Sequence, residues 1–295
     1  MSRTVTAGLD GSRESLAAAV WAAHEAKLRG LPLRLIHVRE TTPLLQAPFI
    51  GGETQPWPEP SATERIPRET AEALLRRHPE LDVSWEQVAG RPAEILTEAA
   101  EESELLVLGS RGLGGLGGFL LGSVGQAVVA RAGRPVVLVR APQDEEDEAP
   151  GPAEGPVVLG LDANAPDEAL IEFAFEAAVR GQSPLHVVHS WNLPPYFAYG
   201  LPPDPELNAQ LGDVESRTLT TVLDPWRRRY PSVQVVEQAL PGKAVDQLVE
   251  ASGQASLLVV GRRIRRATPF GGRIGSVAHA VLHHAASPVA VIPHQ

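Results

Sequence analysis

Eight glycines fall within residues 105–129, LLVLGSRGLGGLGGFLLGSVGQAVV. Glycines at such density let backbone N–H groups close on an anion, because no Cβ keeps the chain away. The stretch Gly112-Leu113-Gly114-Gly115-Leu116-Gly117 also satisfies the dinucleotide-binding pattern G-x-G-x-x-G. A dinucleotide site needs its glycines after a first strand, at a helix start, with an acid about twenty residues further on. Here they follow a fourth strand, and the match runs into Phe119-Leu120-Leu121. Arg134-Pro135-Val136 stands where the acid should be. A different division fits better. Gly109 ends a strand, Gly112 permits a tight turn, and Gly122-Ser123-Val124 opens a helix. The first amides of a helix lack internal acceptors, and the helix dipole favours an anion beside them. Ser123 adds a hydroxyl, as N-cap or as phosphate donor. The bland alternative is a flexible loop ending in a Ser-capped helix, and the spacing leaves both open. There is no Walker lysine.

A phosphate cradle needs a second wall for the rest of a nucleotide. VTAGLDGS places Asp10 at the end of the first strand, where a carboxylate accepts from an amine or a ribose hydroxyl, or else caps the next helix. Ser12 is placed for that capping too. The second strand ends at His37-Val38, which places the Val38 backbone where it could pair with a base edge. His37 reads as a packing or capping residue rather than a catalytic one.

The elements that must position these residues occur twice. Gly8-Leu9-Asp10 recurs as Gly160-Leu161-Asp162, His37 as His189, Gly90 as Gly242 and Gly109 as Gly261. Gly122-Ser123-Val124 recurs as Gly275-Ser276-Val277. A near-constant offset across unrelated residue types marks a duplicated domain. In the first copy, strands are predicted near 3–9, 33–39, 82–88, 105–109 and 135–140, with helices near 12–29, 61–78, 92–103 and 123–133. In the second, strands are predicted near 156–161, 185–191, 233–238, 257–261 and 288–292. Strand–helix alternation implies parallel strands with right-handed crossovers. LLVLG and PVVLV are apolar at nearly every position, so both sheet faces are covered. The expectation is an α/β chain of two doubly wound domains, 1–140 and 156–295, joined by an acidic Pro/Gly linker at 141–155.

Bulk properties narrow the function classes. The chain has 295 residues, 43% apolar and 21% charged, with a formal net charge of −10. Residues 141–156 carry −6 of it, centred on Asp144-Glu145-Glu146-Asp147-Glu148, which reads as a solvated linker. Net acidity argues against nucleic-acid binding. No apolar run is long enough to span a membrane, and MSRTVTAGLDGS lacks a signal-peptide core. A cytoplasmic protein is expected. With no cysteine, disulfides, Cys-ligated zinc and thiol catalysis are excluded. His279 and His283 share a helix face, with His284 adjacent, but no carboxylate or further ligand lies near them in sequence.

Gly109-x-x-Gly112-x9-Gly122-Ser123, VTAGLDGS, LRLIHV, AGRPAEIL and GRPVVLVR together resemble the universal stress protein family, and the resemblance covers both copies. It implies two five-stranded parallel sheets of order 3-2-1-4-5. It also implies ATP, with Mg²⁺ as counter-ion, as the ligand of the first copy. The site residues it carries over are Asp10, Val38, Gly90, Gly109, Gly112, Gly122, Ser123 and Val124. Arg111, inside the motif, is placed either for a phosphate or for the surface. The family also implies pairing through the last strand of each copy, and a homodimer built from such intrachain pairs.

The second copy departs from this pattern. Its candidates are Asp162, Gly261, Gly275, Ser276 and Val277, but Ile264 replaces the second glycine and one residue is added. A β-branched residue resists positive φ, so this loop must take another path. Arg262, Arg263, Arg265, Arg266 and Arg273 are placed to hold an anion, pair with the linker or face solvent. Trp57, Trp191, Tyr196, Phe197 and Tyr199, in long Pro-rich connections, either cover a ligand, meet a partner or pack locally. Three functions fit: an ATP-dependent stress sensor or adaptor with an unidentified protein partner, a slow ATPase or nucleotidyl-transfer enzyme, and a nucleotide-free interaction module. No poised acid–base pair and no H-x-G-H signature supports the enzyme.

Overall fold

The structure, a computed structural model, describes residues 3–40, 64–110, 122–141, 154–193, 204–264 and 273–295. Within these, ten strands alternate with eight helices. The first half runs β1 (Val5–Leu9), α1 (Arg13–Arg29), β2 (Leu33–Glu40), α2 (Arg65–Arg77), β3 (Val83–Gly90), α3 (Pro92–Glu102), β4 (Leu105–Gly109), α4 (Ser123–Arg131) and β5 (Val136–Val139). The second runs β6 (Val157–Gly160), α5 (Glu168–Arg180), β7 (Leu185–Trp191), α6 (Pro205–Arg229), β8 (Val235–Pro241), α7 (Ala244–Ser252), β9 (Leu257–Arg263), α8 (Ser276–His284) and β10 (Val289–His294).

Local signals explain the boundaries. Ser12 caps α1 by accepting from the Ser15 amide, and Gly30 ends it at φ 63°, a left-handed conformation that costs glycine little. Asp167 and Asp204 cap α5 and α6 in the same way. The central strands are buried along their length, VTAGL in β1 and VVLV in β5, because helices cover both faces.

Each half has the expected order, but the two five-stranded sheets are one. The strands run β3-β2-β1-β4-β5-β10-β9-β6-β7-β8 in a single ten-stranded sheet. β5 and β10 join antiparallel, with Val289 opposite Leu138, Ala290 opposite Val137 and Val291 opposite Val136. The cause is geometric. Each last strand would otherwise be an apolar edge with unpaired backbone groups. An approximate two-fold axis sets equivalent strands side by side in opposite directions. The sheet is therefore mixed, not wholly parallel, and its core crosses the seam on both faces: one cluster joins Val137 and Val139 to Ala290 and Ile292, the other joins Val136 and Leu138 to Val289 and Val291.

Helices repeat the axis above and below the sheet. On one face Glu25 of α1 meets Arg180 of α5. On the other, Gln126 of α4 lies 3.3 Å from His279 of α8, its counterpart 153 residues on. Arg262 of β9 donates to the Ala132 carbonyl at the end of α4, and Arg140 donates to Leu282 O in α8 at 3.2 Å. A cation at a helix C-terminus complements its dipole. These two arginines fasten each half to the other's last helix. Burial holds both guanidinia below the usual arginine range.

Candidate functional site

In the first half a crevice of about 350 Å³ opens beyond the C-terminal ends of β1, β2 and β4. This is the switch point, where the chain leaves β1 on one side for β2 and returns on the other as β4. Asp10, Val38, Gly109, Gly122, Ser123 and Val124 all line it. Gly90, at the end of β3, is not among the lining residues; Pro92 and Leu96, just after it on α3, are. Arg111 and Gly112 lie outside the described residues.

Asp10 is held in a short turn. Its Oδ1 accepts from the Ser12 amide at 2.9 Å and from the Ser12 hydroxyl, and Gly11 supplies the necessary left-handed φ of 82°. Between the two capping roles the sequence left open, Ser12 caps α1 and Asp10 positions Ser12. His37 Nδ1 stands 2.9 Å from Leu9 O. A carbonyl only accepts, so Nδ1 carries the proton and the imidazole ties the end of β2 to the end of β1. That is the packing role expected of it.

The far wall is the start of α4. Gly122, not Ser123, is its N-cap residue, with φ −60° and ψ 147° and no side-chain cap. The first intrahelical bond runs from the Gln126 amide to Gly122 O at 3.0 Å. The amides of Ser123, Val124 and Gly125 therefore precede the helical ladder, beside the crevice, with the positive end of the helix dipole behind them. Ser123 is the first helical residue and its hydroxyl does not cap the helix, which corrects one of its two sequence readings. Gly109 has a structural reason of its own. A Cβ there would stand 2.6 Å from the Glu14 carbonyl carbon and 2.7 Å from the Ser15 nitrogen, so only glycine admits the first turn of α1. Glu40 also lines the crevice and was not anticipated; its place two residues beyond Val38, at a strand end, was the available signal.

The second half repeats the frame and changes the contents. Gly275 is again the N-cap residue of α8, at φ −62° and ψ 155°, with Ser276 and Val277 following. Asp162 again closes a turn, its Oδ1 accepting from the Asn164 amide at 3.1 Å. Beyond these, the two sites diverge. β9 pairs with β10 for six residues, where β4 pairs with β5 for four. The pairing continues into Ile264, whose amide donates to His294 O at 2.6 Å. Ile264, just past the end of β9, is thus tied by its backbone to the end of β10; Gly112, its counterpart, and residues 265–272 lie outside the described residues. His294 stands over Gly261, its Nε2 2.6 Å from where a Cβ would be.

His189 Nδ1 stands 3.1 Å from Leu161 O, as in its counterpart His37, but here the Ala163 amide donates to it at 3.3 Å, which leaves the proton on Nε2. Its Nε2 reaches Glu215 Oε2 on α6 at 3.0 Å, and Asn164 Nδ2 donates to the same oxygen at 3.3 Å. α6 has 25 residues against 13 in α2, and its Gly212 packs against Trp191. Side chains of this half therefore join across the ends of β6 and β7. Of the five arginines, Arg262 is committed to α4, and Arg265 and Arg266 lie outside the described residues. Trp191 is buried; Trp57, Tyr196, Phe197 and Tyr199 also lie outside the described residues, as does 142–153 of the linker. The rings of His279 and His283 lie 4.5 Å apart, tilted by 46°, and among the described residues no three His, Asp or Glu side chains form a metal-holding group. Among those residues, too, no helix is long and apolar enough to cross a membrane.

Comparison with known proteins accounts for the duplicated frame. The model of the universal stress protein family matches twice, at residues 1–140 and 155–293. A universal stress protein of Mycobacterium tuberculosis is 33% identical over 290 residues, covering 97% of this chain and 96% of that protein. One from Mycolicibacterium smegmatis is 32% identical over 298 residues, covering 98% and 96%. The crystal structure of a universal stress protein from Archaeoglobus fulgidus shares the fold over the full length of both chains, with a TM-score of 0.63 at 17% identity.

Proposed function

The chain belongs to the universal stress protein family, and from that premise we propose that its first half holds one ATP in the crevice at the switch point while its second half holds none there. The observation that carries this reading is convergence. Asp10, the Val38 backbone and the uncapped start of α4 come from three separate elements and line one crevice. In this reading the amides of Ser123, Val124 and Gly125 receive phosphate oxygens, and the Ser123 hydroxyl, not used as a cap, donates to the same group. Asp10 and the Val38 backbone then face the nucleoside. The single stoichiometry rests on the second half, where Glu215 from α6 joins His189 and Asn164, and Ile264, in the place of Gly112, is bonded to His294 at the end of β10. Occupancy of the first half is the signal that a sensor or adaptor would present to a protein partner.

Nucleotide released on denaturing the purified chain is identified by mass spectrometry, and nucleotide-free chain is titrated with ATP. One ATP per chain is expected. Gly122→Val is expected to lower affinity by about 100-fold, since two to three charge-assisted bonds to backbone N–H groups are lost. Gly275→Val is expected to leave it unchanged. Two equivalent sites, or ATP binding indifferent to Gly122→Val in a folded protein, would refute the assignment.

A further inference from the structure

The opposite end of the seam, beyond the N-terminal ends of the central strands, carries a cluster of cations that the crevice does not use. α1 and α5 finish alike, with Glu25 four residues before Arg29 and Glu176 four before Arg180. Glu25 Oε1 takes Arg29 Nε at 2.6 Å. Arg180 Nε stands 3.3 Å from that same oxygen, without the alignment of a hydrogen bond. The other carboxylate, Glu176, is 44% exposed and reaches Arg180 at 3.4 Å. The side chains of Arg29 and Arg180 are only 8% and 16% exposed. Nη2 of both, and Nε of Arg180, are buried without a hydrogen-bond partner. A guanidinium has five donors and no acceptor, so one buried carboxylate shared by two of them leaves donors unmet, an arrangement that is costly away from water.

A shallow, open cavity of about 360 Å³ adjoins these groups, lined by Arg3, Leu28, Arg29, Leu31, Glu104 and Arg180. Its carboxylate, Glu104, is taken by Arg3 at 2.9 Å. Three arginines and three carboxylates thus meet here, but Nη2 of Arg29 and both Nε and Nη2 of Arg180 have no aligned acceptor. Consistent with this, burial, and after it the charge of Arg29, holds the Arg180 guanidinium below the usual arginine range.

We propose that this cavity is a binding site for a small phosphate-type oxyanion, gripped by Arg29 and Arg180 with Arg3 at its rim. Two forks from opposite halves match the several acceptor oxygens of such an ion. A small turn of each guanidinium brings Nη2 onto it. The bound ion bridges the halves and supplies the acceptors that Glu25 alone does not. The site is independent of the nucleotide reading, since it lies at the other end of the strands.

Inorganic phosphate, titrated calorimetrically into the full chain at fixed ionic strength with chloride as the balancing ion, tests this, with thermal melts in parallel. One phosphate per chain and a saturable rise in Tm are expected, both unchanged in Gly122→Val. Arg180→Gln and Arg3→Ala are each expected to weaken phosphate by about tenfold or more. Arg3 is 60% exposed, so Arg3→Ala decides the matter even where Arg180→Gln loosens the seam. Absence of saturable binding, binding that survives Arg3→Ala, or binding lost with Gly122→Val would each overturn the proposal. The last outcome would place the ion at α4 instead.

Discussion

Gly109 and Gly275 look alike in a motif and differ in the structure. A Cβ on Gly109 would meet backbone atoms of Glu14 and Ser15 at 2.6–2.8 Å, whereas one on Gly275 would meet nothing within 4 Å. Backbone cannot rotate away as a side chain can, so overpacking at Gly109 must shift α1 or β4. Gly109→Ala is therefore expected to destabilise the chain by about 1–3 kcal/mol. Gly275→Ala, free of contacts, is expected to cost at most about 1 kcal/mol, the loss of a favourable N-cap residue. Urea unfolding of both variants checks the contrast. His24 offers a residue-scale test in pH. Burial, chiefly, lowers its pKa below 6.5, with Glu25 opposing the shift and His78 and Lys27 adding to it. The folded state then binds its proton less readily than the unfolded state. Its contribution to stability is complete above the unfolded pKa near 6.5 and is lost as pH falls toward the lowered folded value. Tm is expected to fall with acidification in that window, and His24→Gln to flatten the slope. An equal slope in the variant would assign the dependence to other groups.

At the scale of elements, α6 is what most separates the two halves. Its Glu215 is bonded to a histidine that is 1% exposed. Removing the carboxylate leaves Nε2 of His189 buried without its acceptor, at a cost of about 1–3 kcal/mol. Glu215→Ala is expected to lower stability by that amount, and to leave ATP stoichiometry at one, because Ile264 still stands where the first half has Gly112. Equilibrium unfolding and titration of the same preparation read both effects. The elements themselves were legible in the sequence. Alternation of VTAGL, LRLIHV and LLVLG with helical stretches placed β1, β2 and β4 within a residue or two of where they lie, because strand burial and helix capping are local in sequence. The crevice was legible for the same reason: Asp10, Val38 and Gly122 are strand ends and a helix start, and the doubly wound order brings such ends together. What was not legible is what depends on long-range placement. Glu215 joins His189 from 26 residues away, on a helix whose length no local signal specified. The role of Arg262 is of this kind too. Among five neighbouring arginines nothing in sequence marks the one whose partner is a carbonyl 130 residues away.

The whole molecule is two repeats joined by one sheet and two shared hydrophobic clusters. The ten-stranded sheet is continuous through β5 and β10. Both of its faces carry hydrophobic clusters that include residues of each half. Val136, Val137, Val139, Ala290, Val291 and Ile292 are each at most 5% exposed. Fully burying a valine or isoleucine side chain contributes about 1.5–3 kcal/mol, so separating the halves exposes several such side chains at once. It also leaves Arg140 and Arg262 without the helix-end carbonyls they cap. The peptide link between residues 141 and 154 keeps the halves at high effective concentration. A protease site inserted between those residues and then cut is expected to leave one compact species in size-exclusion chromatography, with both fragments co-eluting. Unfolding of the uncut chain is expected to be a single cooperative transition seen alike by a probe in either half. Cutting should make Tm depend on protein concentration, since unfolding then releases two molecules. Fragments that elute apart, or an uncut chain that melts in two steps, would mean that the β5–β10 seam is weaker than its burial indicates and that each half carries its own stability.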